Sequence, residues 1–415
     1  MSLDLQAALV QAYAERLSLQ PNPPQPQERS YAAQLSVGAA DVLLPPHNRW
    51  TFQHMSQLCP TLVVAAGNAP VSDLGPTEDL LQDFTFTSLS GEQVSLQEHL
   101  DATFTDGFLV LKKGRILCER YFNHQAPDTR HIMFSVTKSL TGALAEQLIE
   151  QGLLDPDRPA ISYVPEFAGT AFETASVRQV MDMAISIDYV EHYEDPNSPT
   201  SRLHYTVGLT PVPPGFERSA SIHDWLRTFP LKGEHGGFFR YVTATTEAMG
   251  WIMERASGLP CHVLFERMWR QLGCERDGFL LADPSGQGVV GFGFNATLRD
   301  MGRFGLMLLG RGHFNGQQVL PTAAVERLLK GNDPAVYATN KEFSEWSPQA
   351  SYKSQWYVFN DHALMAVGIH GQWIFIDFKA EVVIIKQSSA PEAENVIDTD
   401  TVHLLKTLAQ SLSDA

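Results

Sequence analysis

Phe134-Ser135-Val136-Thr137-Lys138 opens an apolar run, and a serine and a lysine spaced three apart there could share one piece of chemistry. Positions i and i+3 of a helix lie on one face, with Cβ atoms about 5–6 Å apart, so the lysine amine can reach the serine hydroxyl. A free serine hydroxyl is a weak nucleophile and needs a base. Lysine normally keeps its proton, but burial disfavours the ammonium and lowers its pKa. The positive end of the helix dipole acts in the same direction on an amine near the helix start. The first backbone N–H groups of that helix could hold a developing oxyanion. The implied chemistry is attack on a carbonyl carbon, with the acyl group carried on Ser135 and Lys138 as the base. Taken alone the pattern is weak, because a serine N-cap followed by a surface lysine is written with the same letters.

The elements that must position this pair can be read around it. DGFLVLKKGRILCERYF at 106–122 has two apolar runs flanking Lys112-Lys113-Gly114, which predicts a β-hairpin. Val136, Leu140, Ala143, Leu144 and Leu148 recur at three- and four-residue spacing and predict a helix with one buried stripe, ended by Gly152. Residues 155–235 read as helical pieces and long loops, with turn-formers at Asp195-Pro196 and Pro213-Pro214-Gly215. Further helices are expected over 243–257 and 297–310. Residues 363–387, ALMAVGIHGQWIFIDFKAEVVIIKQ, read as two strands joined near Phe378-Lys379-Ala380. Strands at both ends of the main body and helices between them predict an α+β fold, an antiparallel sheet beside an all-helical region. The expected division is a catalytic body over 101–410, with its α/β part at 101–135 and 290–410 and its helical part at 136–289. Residues 1–100 read as an extension wrapping that body. It comprises an amphipathic helix carrying Leu5, Leu9, Tyr13 and Leu17, a Pro-rich PNPPQPQ at 21–27 and a second extended piece, LLPPHNRW, at 43–50.

Composition narrows the partners. The 415 residues carry 47 acidic against 30 basic side chains, a formal net charge of −17, with no Lys/Arg cluster of the kind a nucleic acid needs. No run approaches the roughly 20 apolar residues of a membrane span. The start, MSLDLQAALVQAYAERL, lacks the basic segment and continuous apolar run of a secretory signal. Cys59, Cys118, Cys261 and Cys274 are scattered, which reads as free thiols in a reducing, cytoplasmic setting. His131, His192, His204 and His370 lack the short paired spacings of a zinc site.

FSVTKSLTGALAEQLIEQGLLDPD resembles the serine β-lactamase-like family, which holds class C β-lactamases, penicillin-binding-protein relatives, D-aminopeptidases and carboxylesterases. Within it the likeness is to 6-aminohexanoate-dimer hydrolases and β-lactamase-like carboxylesterases. It covers about 105–410 and runs in order through the 106–122 hairpin, MAISIDYVEHYEDP, FRYVTATTEAMGWIMERASG, GFNATLRDMGRFGLMLL and AVGIHGQWIFID. The resemblance implies a β-lactamase/transpeptidase-like fold with the site in a cleft between the mixed and helical regions. It assigns Ser135 as nucleophile and Lys138 as base. The family's Tyr-x-Asn falls on Tyr241-Val242-Thr243, making Tyr241 the third catalytic side chain, a phenol bonded to Lys138 that relays a proton, with threonine where the family has asparagine. The family's Lys-Thr-Gly strand falls on Gly368-Ile369-His370-Gly371-Gln372, which lacks the lysine that meets a substrate carboxylate. The backbone N–H groups of Ser135 and Ile369 would form the oxyanion hole, and His370 and Gly371 would touch substrate. Tyr193 matches a loop tyrosine that closes over the substrate amide in 6-aminohexanoate-dimer hydrolases. The acidic residue those enzymes carry some eleven positions later is replaced by Arg202-Leu203-His204. The implied partner is a small ester or linear amide, with a β-lactam or D-amino-acid peptide as the alternative and a non-catalytic binding relative as a third reading. The chemistry calls for no metal or organic cofactor.

Overall fold

The computed structural model describes residues 3–22, 41–77, 79–193, 195–345, 349–360 and 362–413. Its centre is a seven-stranded antiparallel sheet in the order Ala350–Lys353, Trp356–Phe359, Ala363–Gly368, Gln372–Asp377, Val382–Ser388, Thr105–Lys112, Arg115–Tyr121. The strand from late in the chain pairs with the one that opens the main body, Ile384 opposite Val110 and Lys386 opposite Phe108. Residues of Val382–Ser388 are buried on both faces, which is why VVIIKQS reads as an apolar run rather than an alternation. One face, with Leu109, Leu111, Val383 and Ile385, packs on helices Val136–Glu150 and Leu298–Leu309. The other, with Phe108, Val110 and Ile384, is covered by the first and last helices, Leu3–Ser18 and Ile397–Ser413.

The N-terminal segment is tied down by buried polar bonds. The Tyr13 hydroxyl donates to Asp400 Oδ2 at 2.6 Å and meets His99 Nδ1 at 2.7 Å, and Arg16 pairs with Glu392. Further on, Asp106 is fully buried and takes Arg49 Nη1 at 2.9 Å, His131 Nε2 at 3.0 Å and the Ser389 hydroxyl at 2.7 Å. Thr61–Val64 joins a second antiparallel sheet with Gly278–Leu281, Phe294–Ala296 and His131–Ile132.

Several expectations need correction. Residues 43–50 are not extended: turns lead into a short helix, Asn48–Thr51, whose Asn48 amide donates to the carbonyls of Ser389 and Ala390. Residues 23–27 of the Pro-rich piece lie outside the described residues. The stretch 363–387 holds three strands, because His370 (φ +59°) and Gly371 (φ +88°) turn the chain back within it. The turn near 378–380 is present as the second of two. The helical stretch does not reach 289, since Gly278–Leu281 is already a strand.

The helix Val136–Glu150 is pinned on two sides. The Ser139 hydroxyl donates to Gln355 O at 2.6 Å, Trp356 Nε1 donates to Ser139 O at 2.9 Å, and the Thr141 hydroxyl donates to Val290 O at 2.9 Å. Gly142 permits that approach, because a Cβ there would lie 1.9 Å from the Ser354 carbonyl oxygen. Gly142→Ala should therefore push the helix off the sheet edge and cost at least about 1–3 kcal/mol. Thermal denaturation checks this; an unchanged Tm would contradict the packing described.

Candidate active site

The turn before the Ser135 helix is wound tightly. Phe134 sits at φ +42°, a left-handed conformation unusual for an aromatic residue. Its buried ring packs edge-on to Phe52 at 4.9 Å and against His370 at 5.5 Å. Ser135 follows at the helix start, but its side chain caps nothing. Instead its Oγ takes a hydrogen bond from Lys138 Nζ at 2.8 Å, and the same amine donates to the Gly291 carbonyl at 2.8 Å. Lys138 is only 1% exposed, so the reading as a cap followed by a surface lysine does not hold. Burial lowers its pKa to about 8, against the opposing pull of the Glu191 and Glu247 carboxylates.

Tyr241 is buried just ahead of the helix Thr243–Ser257. Burial raises its phenol well above the ordinary range, while the neighbouring Ser135 hydroxyl pulls the other way. Lys138 Nζ lies 5.1 Å from the centre of the Tyr241 ring. The phenol thus meets the pair from the serine side, whereas the amine's two hydrogen bonds run to Ser135 and Gly291 rather than to the phenol as expected.

A cavity of about 340 Å³ opens over Ser135, with Tyr193, Tyr241, Tyr357, Trp373 and Ile369 in its wall. Gly368 ends its strand directly against the Ser135 turn, where an added Cβ would sit 3.1 Å from Ser135 N and 2.6 Å from Met133 O. Ser135 and Ile369 both line the cavity, one on each side of this close approach. The hairpin that carries Ile369 is held from behind. Gln372 Nε2 donates to Ser388 O at 2.7 Å and His370 O at 3.2 Å, and His370 N–H donates to Ala393 O at 2.8 Å.

His370 and Gly371 are not brought to the cavity. The His370 ring is buried between Phe52 and Phe134, with Nδ1 at 2.7 Å from Ala390 O, and burial pushes its pKa down to about 4. The left-handed turn at 370–371 aims this side chain behind the hairpin, where it braces Phe134. Gly371 backs onto Ser388, whose Cβ would lie 3.0 Å from an added Cβ. In the stretch 202–204, Arg202 stacks 5.4 Å from Phe216, and Leu203 and His204 are buried, so no carboxylate stands there.

Other residues of the site were not singled out in the sequence. Glu247, one turn into the Tyr241 helix, is buried. It takes the N–H groups of Gly291 at 2.8 Å and Val290 at 3.2 Å, fixing the carbonyl that receives Lys138. Burial raises its pKa to about 7. A lone glutamate inside the apolar stripe of TATTEAMGWIM was the available signal. Glu342, Glu394 and Asp398 complete the cavity wall from segments far apart in sequence, and no lysine or arginine joins them among the described lining residues.

Comparison with known proteins agrees with this arrangement. The β-lactamase family profile matches residues 96–406. Over 362 residues the chain is 36% identical to the 6-aminohexanoate-dimer hydrolase of Paenarthrobacter ureafaciens, covering 86% of this chain and 88% of that protein. A solved structure from Bacillus anthracis, described as a candidate 6-aminohexanoate-dimer hydrolase, superposes with a TM-score of 0.84 at 28% identity, over 94% of this chain and 99% of that one. The hydrolase EstCE1, at 18% identity and a TM-score of 0.56 over 74% of this chain and 95% of its own, shares the fold. A seven-stranded sheet built from both ends of the chain, with a buried serine–lysine pair at its edge, thus belongs to the β-lactamase family of serine-type hydrolases, and this chain is a homologue of 6-aminohexanoate-dimer hydrolase.

Proposed function

We propose that the protein hydrolyses carboxylic esters or small linear amides through an acyl-enzyme on Ser135. The observation that carries this reading is the 2.8 Å contact between the Ser135 hydroxyl and a buried, weakly basic amine. In the free-amine form Lys138 takes the proton as Ser135 Oγ bonds to the carbonyl carbon. The resulting oxyanion is met by the N–H groups of Ser135 and Ile369. Collapse expels the alcohol or amine, which receives that proton through Tyr241. Water then enters by the same route in reverse and frees the acid. Tyr193 covers the substrate from the loop.

The cavity wall favours linear substrates over β-lactams. Glu342, Glu394 and Asp398 repel a substrate carboxylate and no lining lysine answers it, whereas an amine end is welcome. The name of the 36% identical relative points the same way, to an amide between amino acids with long aliphatic chains. Four buried, unpaired cysteines support a cytoplasmic setting.

A fluorophosphonate probe should label Ser135, as read by peptide mass spectrometry. Ser135→Ala should lose the label and at least about 10³-fold of kcat/KM towards p-nitrophenyl butyrate. Full turnover by Ser135→Ala would remove the reading, and an unlabelled but folded protein would favour the non-catalytic alternative. Nitrocefin should be turned over far more slowly than p-nitrophenyl butyrate; the reverse order would favour the β-lactamase alternative. Because the base must be deprotonated, kcat/KM should rise with pH through a limb near 8, the pKa of Lys138, and be low well below it. A limb at the ordinary lysine value would contradict this assignment.

A further inference from the structure

The helix behind Tyr241 begins without a cap of its own. Val242 precedes it and offers no hydrogen-bonding side chain, so the first N–H groups have no partner within the helix. The partner comes from another segment. Glu191, two residues before Tyr193, places one carboxylate oxygen 2.9 Å from the Thr243 N–H and the other 2.7 Å from the Thr243 hydroxyl. Thr243 stands where the family has asparagine. It is 3% exposed and absent from the cavity wall, with its hydroxyl committed to Glu191.

We propose that Glu191 is a latch: its paired bonds to Thr243 hold the Tyr193 loop against the Tyr241 helix and so position both tyrosines about the Ser135–Lys138 pair. This rests on the hydrolase reading above. Three observations make the latch more than a local cap. Tyr193 and Tyr241 both line the cavity, and each is two residues from one end of the latch. The Thr243 methyl group lies against Gly291, 2.9 Å from where a Cβ there would sit, and the Gly291 carbonyl accepts Lys138. The Glu191 charge also reaches Lys138, ahead of that of Glu247, and favours its protonated form.

Among the other groups facing Lys138, only Glu247 pulls the same way, and less strongly. Glu247 approaches from the Tyr241 helix, where it also holds the Val290 and Gly291 amides, and its pull stays in place when Glu191 is replaced. His204, from the helix Pro199–Val207, is kept neutral by burial, its pKa pushed down to about 4. Tyr193 and Tyr241 remain protonated phenols. Loss of the Glu191 charge therefore leaves Lys138 easier to deprotonate, and the acid limb of the pH profile moves down.

The test is steady-state kinetics of p-nitrophenyl butyrate hydrolysis across pH, with circular dichroism and Tm measured on each variant. Glu191→Ala should raise KM at least about five-fold through loss of two charge-assisted bonds. It should also move the acid limb down by about one pH unit. Glu191→Gln keeps one acceptor but no charge, so it should show the same shift with a smaller rise in KM. Thr243→Val removes one bond and keeps the charge, so KM should rise with the limb in place, and Thr243→Ser should restore it. If Glu191→Ala proves unfolded, the Gln and Val variants decide the matter by the same two readouts. Wild-type KM and an unmoved limb in these variants, with Ser135→Ala inactive, overturn the latch alone. Activity surviving in Ser135→Ala overturns the reading beneath it.

Discussion

The structure turns on one amine kept out of water. Among the described residues Lys138 has two hydrogen-bond acceptors, the Ser135 hydroxyl and the Gly291 carbonyl, and no carboxylate within hydrogen-bonding distance. An ion pair there would hold the ammonium and disable the base. The nearby carboxylates are instead occupied by backbone amides: Glu247 holds the 290–291 turn, and Glu191 holds the start of the Tyr241 helix. Each lies close enough to be felt by the lysine, but neither takes its proton. The result is an amine of intermediate basicity, which suits the proposed role of base near neutral pH.

The sheet supplies the second half of the arrangement. Pairing Val382–Ser388 with Thr105–Lys112 brings the last strands beside the segment that leads into Ser135. The hairpin after Ala363–Gly368 then ends on the Ser135 turn, at a distance only glycine allows. Phe134, His370 and Phe52 form an aromatic wedge beneath both, so the left-handed residue before Ser135 and the hairpin that carries Ile369 are braced by the same rings. The proposed pair of oxyanion donors would need this rigidity, since donors that must reorganise during reaction contribute little.

Much of this was legible in the sequence, for identifiable reasons. The Ser135 helix, the 106–122 hairpin and the helix from Thr243 to Gly258 are local patterns with strong periodicity and glycine stops, and they lie where the spacing predicts. That Ser135, Lys138 and Tyr241 come together was legible because two fall within one helical turn and the third sits in a recognisable family motif. Misreadings arose where a local pattern hides a nonlocal cause. AVGIHGQWIF is apolar enough to pass for one strand, and its turn is set by backbone conformation at 370–371. His370 reads as a substrate contact because Gly368 and Ile369 beside it line the cavity. Its side chain points the opposite way from the Ile369 amide. Glu191, Glu247 and the acidic wall at 342, 394 and 398 acquire meaning only once distant segments meet, and no spacing in the chain announces them.

Direct titration of the lysine is the most incisive measurement. Protein carrying ¹⁵N-lysine can be followed by NMR through the Nζ resonance of Lys138, assigned by its loss in Lys138→Met. The account predicts an apparent pKa of about 8 in the resting enzyme. Titration near the ordinary lysine value of about 10.4 would mean that the amine is a solvated ammonium at working pH, and the proposed base would be the wrong one.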